Sequence, residues 1–345
     1  MSADPLQTHV AQSLKHDAPL ISCRFDPAGK FVFAGAQDNK VLRWDLSTEA
    51  KVVLPAHDSW VRSFGFSLAG DVLVTGGYDG RLVWWAATAE AAPVAPPAEG
   101  KPVPPPELKP VRTIDAHHGW IRAVSVSPDG QFLASCGNDM KVKLWQMSDG
   151  AFVREFVGHE RHIYNVAFHP SGQRLVSGDL VGKFFDWDVA TGAAGRNFAV
   201  ASLTKYDAGF LADYGGPHSL AFTSDGKRLL AGGITNVSNA FAGVGNPIVV
   251  EIDWEQGKDV VTHLTKANIN GVAWGLVWHP EGFAIAALGG HAGGQLGFWK
   301  PDQKDEFHIF NIGNSVRDLA LHPDGIRLAS PHHDGICRIS RMAPK

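Results

Sequence analysis

The chain has 345 residues, of which 19% are charged and 44% are hydrophobic, and its formal net charge at pH 7 is -4. This balance argues against a molecule that attracts nucleic acid or anionic membranes through its overall charge. The 38 glycines and 21 prolines favour many short strands joined by tight turns.

Residues 1–5 contain no cationic stretch followed by an apolar run, and no later segment is long and apolar enough to cross a bilayer. We therefore expect a cytoplasmic protein that binds no membrane, and we expect it to be a monomer. Its three cysteines, Cys23, Cys136 and Cys337, lie far apart and predict no disulfide framework.

A short turn that ends in glycine recurs seven times along the chain. Proline presets the backbone early in five of the copies, and the glycine accepts a positive φ. Each turn is therefore predicted to join two antiparallel strands. The turn glycines are Gly29, Gly70, Gly130, Gly172, Gly226, Gly282 and Gly325.

Around each turn the pattern predicts three strands in the same order. An alternating apolar segment such as residues 121–126 precedes the turn and has the period of a strand with one buried face. Residues 132–135 then predict a second strand, and residues 141–145 a third that ends in tryptophan. In units one to four a histidine lies 13 residues before the turn glycine and a tryptophan 15 residues after it: His16 and Trp44, His57 and Trp85, His117 and Trp145, His159 and Trp187.

This register resembles the WD40 repeat. The resemblance implies an all-β, seven-bladed propeller that occupies residues 1–345 as one unit. It also implies closure by the N-terminal segment, residues 8–14, as the outer strand of the last blade, because the chain ends just after the third strand of unit seven. Units five to seven depart from the pattern, with Asp213, Ile269 and Ile312 at the histidine position and Ser340 at the last tryptophan position.

The resemblance further implies a hydrogen-bond chain inside each blade, which would pair buried polar groups and fix the loop. Ala34 replaces the hydroxyl of unit one and Val181 the aspartate of unit four, so both of those chains are predicted to be incomplete. The structural residues predicted in units two and three are His57, Thr75, Asp79 and Trp85, and His117, Ser135, Asp139 and Trp145.

The repeat explains most of the 16 histidines without a metal. His169, His279 and His322 precede proline in the turns, where a turn role is expected, and no paired metal-binding motif occurs. Cys23 and Cys337 fall at core strand positions, which predicts inert buried thiols. We therefore expect no metal, no cofactor and no enzymatic activity.

Three insertions interrupt the register. Residues 87–110 are rich in alanine and proline, including residues 94–97 and 103–106, and predict a passive extended loop, with docking to a proline-reading domain as the alternative. Residues 195–216 and 233–246 flank the first strand of unit five, and the WD40 arrangement places both on one face, called the top. They are predicted to form a wall beside the channel mouth.

The top face is also predicted to carry a ring of side chains suited to partner binding, because arginine and large aromatic residues dominate interface energetics. The predicted function is a non-enzymatic scaffold for a protein or peptide, with an acidic partner favoured by the arginines. The alternative is a small-molecule binder or enzyme that uses the channel mouth. The predicted partner-binding residues are Trp60, Arg62, Trp120, Arg122, His162, Tyr164, His218, Trp274, Arg317 and Phe241.

Overall fold

The computed structural model describes residues 2–92, 103–239, 244–267, 269–290 and 293–345. These residues form seven antiparallel sheets of four strands and one two-stranded hairpin. The first strands of successive sheets contact one another around a ring, and the last sheet contacts the first. The predicted seven-bladed β-propeller is therefore confirmed.

The strands follow the chain from blade to blade, beginning with β1 (Thr8–Lys15), which belongs to the last blade. Blade 1 contains β2 (Leu20–Phe25), β3 (Phe31–Ala36), β4 (Val41–Asp45) and β5 (Lys51–Leu54). Blade 2 contains β6 (Val61–Phe66), β7 (Val72–Gly77), β8 (Arg81–Ala86) and β9 (Arg112–Asp115). Blade 3 contains β10 (Ile121–Val126), β11 (Phe132–Gly137), β12 (Lys141–Gln146) and β13 (Phe152–Val157). Blade 4 contains β14 (Ile163–Phe168), β15 (Arg174–Asp179), β16 (Lys183–Asp188) and β17 (Ala194–Ala199).

A hairpin of β18 (Thr204–Asp207) and β19 (Ala212–Gly215) precedes blade 5. Blade 5 contains β20 (Ser219–Phe222), β21 (Arg228–Asn239), β22 (Val244–Asp253) and β23 (Lys258–His263). Blade 6 contains β24 (Val272–His279), β25 (Phe283–Gly290), β26 (Gly293–Trp299) and β27 (His308–Gly313). Blade 7 contains β28 (Ala320–Leu321), β29 (Arg327–Pro331) and β30 (Ile336–Met342). The described residues also include two short 3-10 helices, Pro5–Gln7 and Ala201–Leu203, and no helix among them is long and apolar enough to cross a membrane.

The N-terminal strand closes the ring, as predicted. β1 pairs antiparallel with β30, with Thr8 opposite Met342 and Leu14 opposite Cys337. Leu14 is only 2% exposed and packs in the core shared by blades 7 and 1. Closure gives the backbone groups of β30 a partner and removes an open sheet edge.

The glycine turns on the opposite face from the top contain histidines that contact the next blade. His322 of blade 7 bonds the Gly29 carbonyl of blade 1 at 2.8 Å, and His279 of blade 6 bonds the Gly325 carbonyl at 2.6 Å. His169 of blade 4 bonds the Gly226 carbonyl at 3.1 Å. These histidines thus link neighbouring blades.

The hydrogen-bond chain within blade 3 runs through four side chains. Trp145 Nε1 donates to Ser135 Oγ at 2.9 Å, and Ser135 Oγ lies 2.7 Å from His117 Nε2. His117 Nδ1 lies 2.9 Å from a carboxylate oxygen of Asp139. Because the carboxylate accepts, Nδ1 is the donor and Nε2 accepts the serine proton.

Blade 2 repeats this geometry. Trp85 Nε1 donates to Thr75 Oγ1 at 3.0 Å, Thr75 Oγ1 lies 2.8 Å from His57 Nε2, and His57 Nδ1 lies 3.0 Å from Asp79. In blade 1 the chain stops at His16 and Asp38, which are 3.1 Å apart.

The prediction that the hydrogen-bond chain of blade 4 is incomplete is wrong. Asp179, two residues before Val181, accepts from His159 Nδ1 at 2.8 Å, while His159 Nε2 lies 2.8 Å from Ser177 Oγ. Trp187 Nε1 donates to the same hydroxyl at 2.8 Å. The last residue of β15 therefore supplies the carboxylate that the turn supplies in blades 2 and 3.

Two of the predicted insertions differ in the structure from the expectation, one in its boundary and one in its packing. Residues 194–199 form β17, the outer strand of blade 4, so the added segment is shorter than residues 195–216. In the segment 87–110, Leu108 is buried and pairs with Val53 of β5, because Val53 N donates to Pro106 O and Leu108 N to Val53 O, each at 2.9 Å. Its ends thus pack along blade 1, while residues 93–102, including residues 94–97, lie outside the described residues.

Truncation of the closing strand's core residue should destabilise the whole ring. We expect Leu14→Ala to lower the free energy of unfolding by about 2–5 kcal/mol, because it removes a fully buried leucine side chain. Leu6→Ala is the control. Because Leu6 is 65% exposed, its truncation should change the free energy of unfolding little. Equal unfolding midpoints for the two variants in urea would show that β1 does not close the ring.

Substitution of Asp179 tests the hydrogen-bond chain of blade 4. We expect Asp179→Ala to lower the free energy of unfolding by about 1–3 kcal/mol, because it leaves the buried His159 Nδ1 without an acceptor. Val181→Ala should have a smaller effect, since its half-buried side chain carries no polar group. Urea unfolding of both variants measures the difference, and a cost for Val181→Ala as large as that for Asp179→Ala would contradict the assignment.

Candidate functional site

β-bulges at the start of the inner strands determine which side chains project at the top face. In five blades the pairing of the inner strand with the second strand skips one residue. A bulged residue leaves the ladder, which can re-aim its side chain. The skipped residues are Ile21, Arg62, Arg122, Tyr164 and Trp274.

Six predicted residues form a mixed ring of cations and aromatic groups at the channel mouth. The guanidinium of Arg122 lies 4.2 Å from the centre of the Tyr164 ring, and that of Arg317 lies 4.8 Å from the centre of a Trp274 ring. His218 lies between the two aromatic residues, with ring centres 5.3 Å from Tyr164 and 4.7 Å from Trp274. The mixed ring consists of Arg62, Arg122, Tyr164, His218, Trp274 and Arg317.

Two arginines of the mixed ring also hold the scaffold. Arg62 Nη1 donates to the carbonyls of Ile21 and Arg317, so it joins the inner strands of blades 1 and 7 to blade 2. Arg122 Nε donates to the side-chain oxygen of Asn138 at 2.9 Å. Substitution of either residue would therefore perturb the fold as well as the charge.

Trp60 and Trp120 lie outside the mixed ring in a stack that includes Tyr78. The Tyr78 and Trp120 rings are parallel to within 3° at 4.3 Å, and the Trp60 ring lies 6.1 Å from Tyr78. Both tryptophans remain about two-fifths exposed, at 40% and 44%. Tyr78 was missed in the sequence because it lies in the turn after β7, away from the inner strand.

Of the other predicted residues, His162 lies beside this surface and is mostly exposed, and partial desolvation and the charge of Arg122 lower its pKa. Phe241 lies outside the described residues.

A cavity of about 990 Å³ opens beside the mixed ring and extends across blades 4 to 7. One side of the cavity is formed by the hairpin β18–β19 and by the extended ends of β21 and β22, which together we call the blade-five wall. Asp213 and Tyr214 of the hairpin and Ile234 and Val237 of β21 line it. Lys205 Nζ donates to the Val237 carbonyl at 2.5 Å, which joins the two parts of the wall.

Glycines allow the opposite side of this cavity to be closely packed. A Cβ atom on Gly289 would lie 1.9 Å from the Val316 carbonyl oxygen, and one on Gly290 would lie 2.3 Å from the Asn270 carbonyl oxygen. Side chains at these positions would force the neighbouring backbone apart. The glycine-rich segment around residue 290 therefore shapes the cavity.

Below the mixed ring the channel narrows to a chamber of about 100 Å³, which shares His218 and Trp274 with the large cavity. Arg24 and Asp318 also line this chamber. The sequence pattern missed Arg24 because the bulge at Ile21 resets which residues of β2 face the channel. Reading the inner strands around the ring with the bulge included would have found it.

The positive charge of the mixed ring comes from its arginines. Burial lowers the pKa of His218 to about 3, and the positive charges of Arg62, Arg122 and Arg317 add to this effect. His218 is therefore neutral at pH 7 and adds no positive charge to the mixed ring.

The three cysteines lie away from solvent. Cys23, Cys136 and Cys337 are buried, and burial raises the pKa of each thiol well above its ordinary value. The neutral thiol is a poor nucleophile and metal ligand. Among the described residues, no group of three or more histidine, cysteine, aspartate or glutamate side chains is placed to hold a metal ion.

The family model described as WD domain, G-beta repeat matches residues 8–45, 49–86, 108–146 and 150–183. These matches run from β1 of the last blade to the start of β16 in blade 4, and the remaining described strands complete the same ring of four-stranded blades. The chain belongs to the WD40-repeat family.

Curated relatives of this WD40 protein include subunits of larger factors. It is 24% identical over 213 residues to transcription initiation factor TFIID subunit 5 of Caenorhabditis elegans, which covers 61% of the chain and 28% of that protein. It is 22% identical over 220 residues to eukaryotic translation initiation factor 3 subunit I of Pyricularia oryzae, which covers 61% of the chain and 58% of that protein.

A shorter match, 46% identical over 63 residues, is to nuclear distribution protein nudF 2 of Penicillium rubens and covers 18% of the chain and 14% of that protein. The matched regions span less than two thirds of each relative's own length.

The lowered pKa of His218 should affect how the free energy of unfolding depends on pH. Since its pKa is lowered in the folded protein, the unfolded chain binds the proton first as the pH falls below 6.5, so stability present above that pH is lost toward pH 3. We expect the free energy of unfolding to fall less between pH 7 and pH 5 in His218→Gln than in the wild type. Urea unfolding at both pH values measures this difference, with the exposed His118→Gln as control. An unchanged pH dependence in His218→Gln would contradict the neutral assignment.

Proposed function

We propose that this WD40 protein is a non-enzymatic interaction scaffold that binds a protein or peptide in the cavity between the mixed ring and the blade-five wall. The cavity carries the proposal, because it combines an added wall with arginine and aromatic side chains on an otherwise regular fold. The names of two relatives describe subunits of initiation factors, which supports a role in an assembly. The cytoplasmic location and the monomeric state remain predictions.

An acidic group on the partner is the finer part of the proposal. Arg317 lines the cavity, and its buried Nε has no hydrogen-bond partner. Burial and the nearby charge of Arg62 lower the pKa of Arg317, which indicates an unfavourable environment for its charge. A carboxylate on the ligand would relieve this cost through charge-assisted hydrogen bonds.

A small molecule is the second candidate occupant, because the cavity volume lies near the upper end of the roughly 300–1,000 Å³ typical of ligand pockets. Catalysis is less well supported. Of the two carboxylates that line the cavity and chamber, Asp213 pairs with Arg161 at 3.2 Å and Asp318 accepts two backbone N–H groups. Neither is placed as an unengaged general base.

Two variants test the scaffold proposal in the native cell. The first replaces residues 206–213 by Asn-Gly, a two-residue turn that joins the paired Lys205 and Tyr214 and lowers the wall. The second is Arg317→Gln. We expect each to reduce recovery of a specific partner by about tenfold, the loss that corresponds to one interface hot spot.

Quantitative affinity capture with mass spectrometry measures this recovery, and thermal unfolding confirms that each variant is folded. Arg112→Gln is the matched control, since Arg112 is exposed on the outer strand of blade 2. Full recovery of every partner by both the hairpin variant and Arg317→Gln would refute binding at this cavity. Loss of a co-purifying small molecule with no change in proteins would favour the second candidate.

A further inference from the structure

The channel holds arginine side chains without matching carboxylates. Arg24, Arg62 and Arg122 line the chamber, and Arg317 lies at the cavity above it. Within the residues that the structure describes, none of these four guanidinium groups forms an ion pair. Arg62, Arg122 and Arg317 are half-buried, whereas Arg24 is exposed. Because half-buried charges are normally paired, the three half-buried arginines call for a counter-ion.

Asp318 is the acidic residue of the chamber, but its oxygens have other partners. Oδ2 accepts the Cys23 N–H of blade 1 at 3.0 Å, and Oδ1 accepts the Leu319 N–H at 2.8 Å. Burial raises the pKa of Asp318 despite the arginines, which shows that their charges do not fully stabilise the carboxylate. Three arginines minus one aspartate leave the chamber lining with an excess of two positive charges.

Two of the three chamber arginines are already held in position. Arg62 is fixed by two backbone carbonyls and lies over Trp274 at 5.4 Å, and Arg122 lies over Tyr164 at 4.2 Å. Each of these two guanidinium groups keeps N–H donors that the contacts above do not use. The Arg24 guanidinium makes no hydrogen bond within the described part of the chain and can turn toward a ligand.

We propose that the chamber binds one tetrahedral oxyanion of the phosphate class between Arg24, Arg62 and Arg122. Its volume of about 100 Å³ suits a small ion and is below that of a pocket for a larger organic ligand. Guanidinium forks match the oxygens of phosphate, and a doubly charged anion balances the two excess positive charges. The site needs no protein partner, so it goes beyond the proposed scaffold function.

Titration of the full-length protein with inorganic phosphate tests this site. At constant ionic strength in a chloride buffer, calorimetry should show one phosphate bound per chain. Arg24→Gln should raise the phosphate Kd at least about tenfold, because it removes one of the three cations without removing a hydrogen bond of the scaffold. The phosphate Kd of Arg24→Lys should lie between those of the wild type and Arg24→Gln, since lysine keeps the positive charge but lacks the forked guanidinium.

Arg112→Gln, which removes an equal charge from an outer strand, should bind phosphate like the wild type. Failure of phosphate to bind, or an equal loss of affinity in Arg112→Gln and Arg24→Gln, would overturn the proposal. Competition with O-phosphoserine distinguishes the source of the anion. Displacement of phosphate indicates that a phosphorylated side chain can reach the chamber, whereas binding of inorganic phosphate alone indicates a free ion.

Discussion

Hydrogen bonds between the inner strands hold the propeller together. The residue just after the bulge bonds the next blade: Ser22 Oγ donates to the Val61 carbonyl at 2.6 Å, and Ser63 Oγ accepts Val124 N–H at 2.7 Å. The Asp318 carboxylate accepts Cys23 N–H and so joins blade 7 to blade 1. Because these groups are removed from water, each would be costly to leave unpaired. This ring of contacts fixes the inner strands and hence the bulged residues that project from them.

The functional features follow from that constraint. The bulges place arginine and aromatic side chains at one mouth of the channel, where cations lie over aromatic rings instead of beside carboxylates. The oxygens of Asp318 accept backbone N–H groups, and no carboxylate in the described part of the chain forms an ion pair with the channel arginines. The large cavity lies across blades 4 to 7, mostly beyond the part of the chain that the family model matches. The histidine–hydroxyl–tryptophan hydrogen-bond chain of blades 2 to 4 is not repeated among the described residues of blades 5 to 7, which supply most of the cavity lining. Such departures from a regular pattern are common at functional sites.

The sequence predicted the fold well because the turn glycines recur at fixed spacing and each blade repeats the same strand order. Six of the ten predicted partner-binding residues lie together in the mixed ring, because they occupy equivalent positions at or just before the start of the inner strands, and their binding role stays a prediction. Sequence-based prediction failed where the position of a side chain depends on a local change in strand register or packing that the repeat pattern does not show. Asp179 replaces the turn aspartate from a strand end, Arg24 enters the channel through a bulge, and Leu108 is buried in a segment whose composition suggests an extended loop. The neutral state of His218 depends on burial and, to a lesser degree, on arginines from three other blades, so it could not be predicted from the neighbouring residues in the sequence.

Hydrogen–deuterium exchange of the protein alone and in complex with its purified partner tests most directly whether this face is the functional surface. The account predicts slower exchange in residues 204–215, 228–237 and 313–317, which form the wall and the Arg317 side of the cavity. It predicts unchanged exchange at the turns on the opposite face, around Gly70 and Gly130. Slower exchange confined to those turns or to the outer strands would contradict the central claim that partners bind at the blade-five wall.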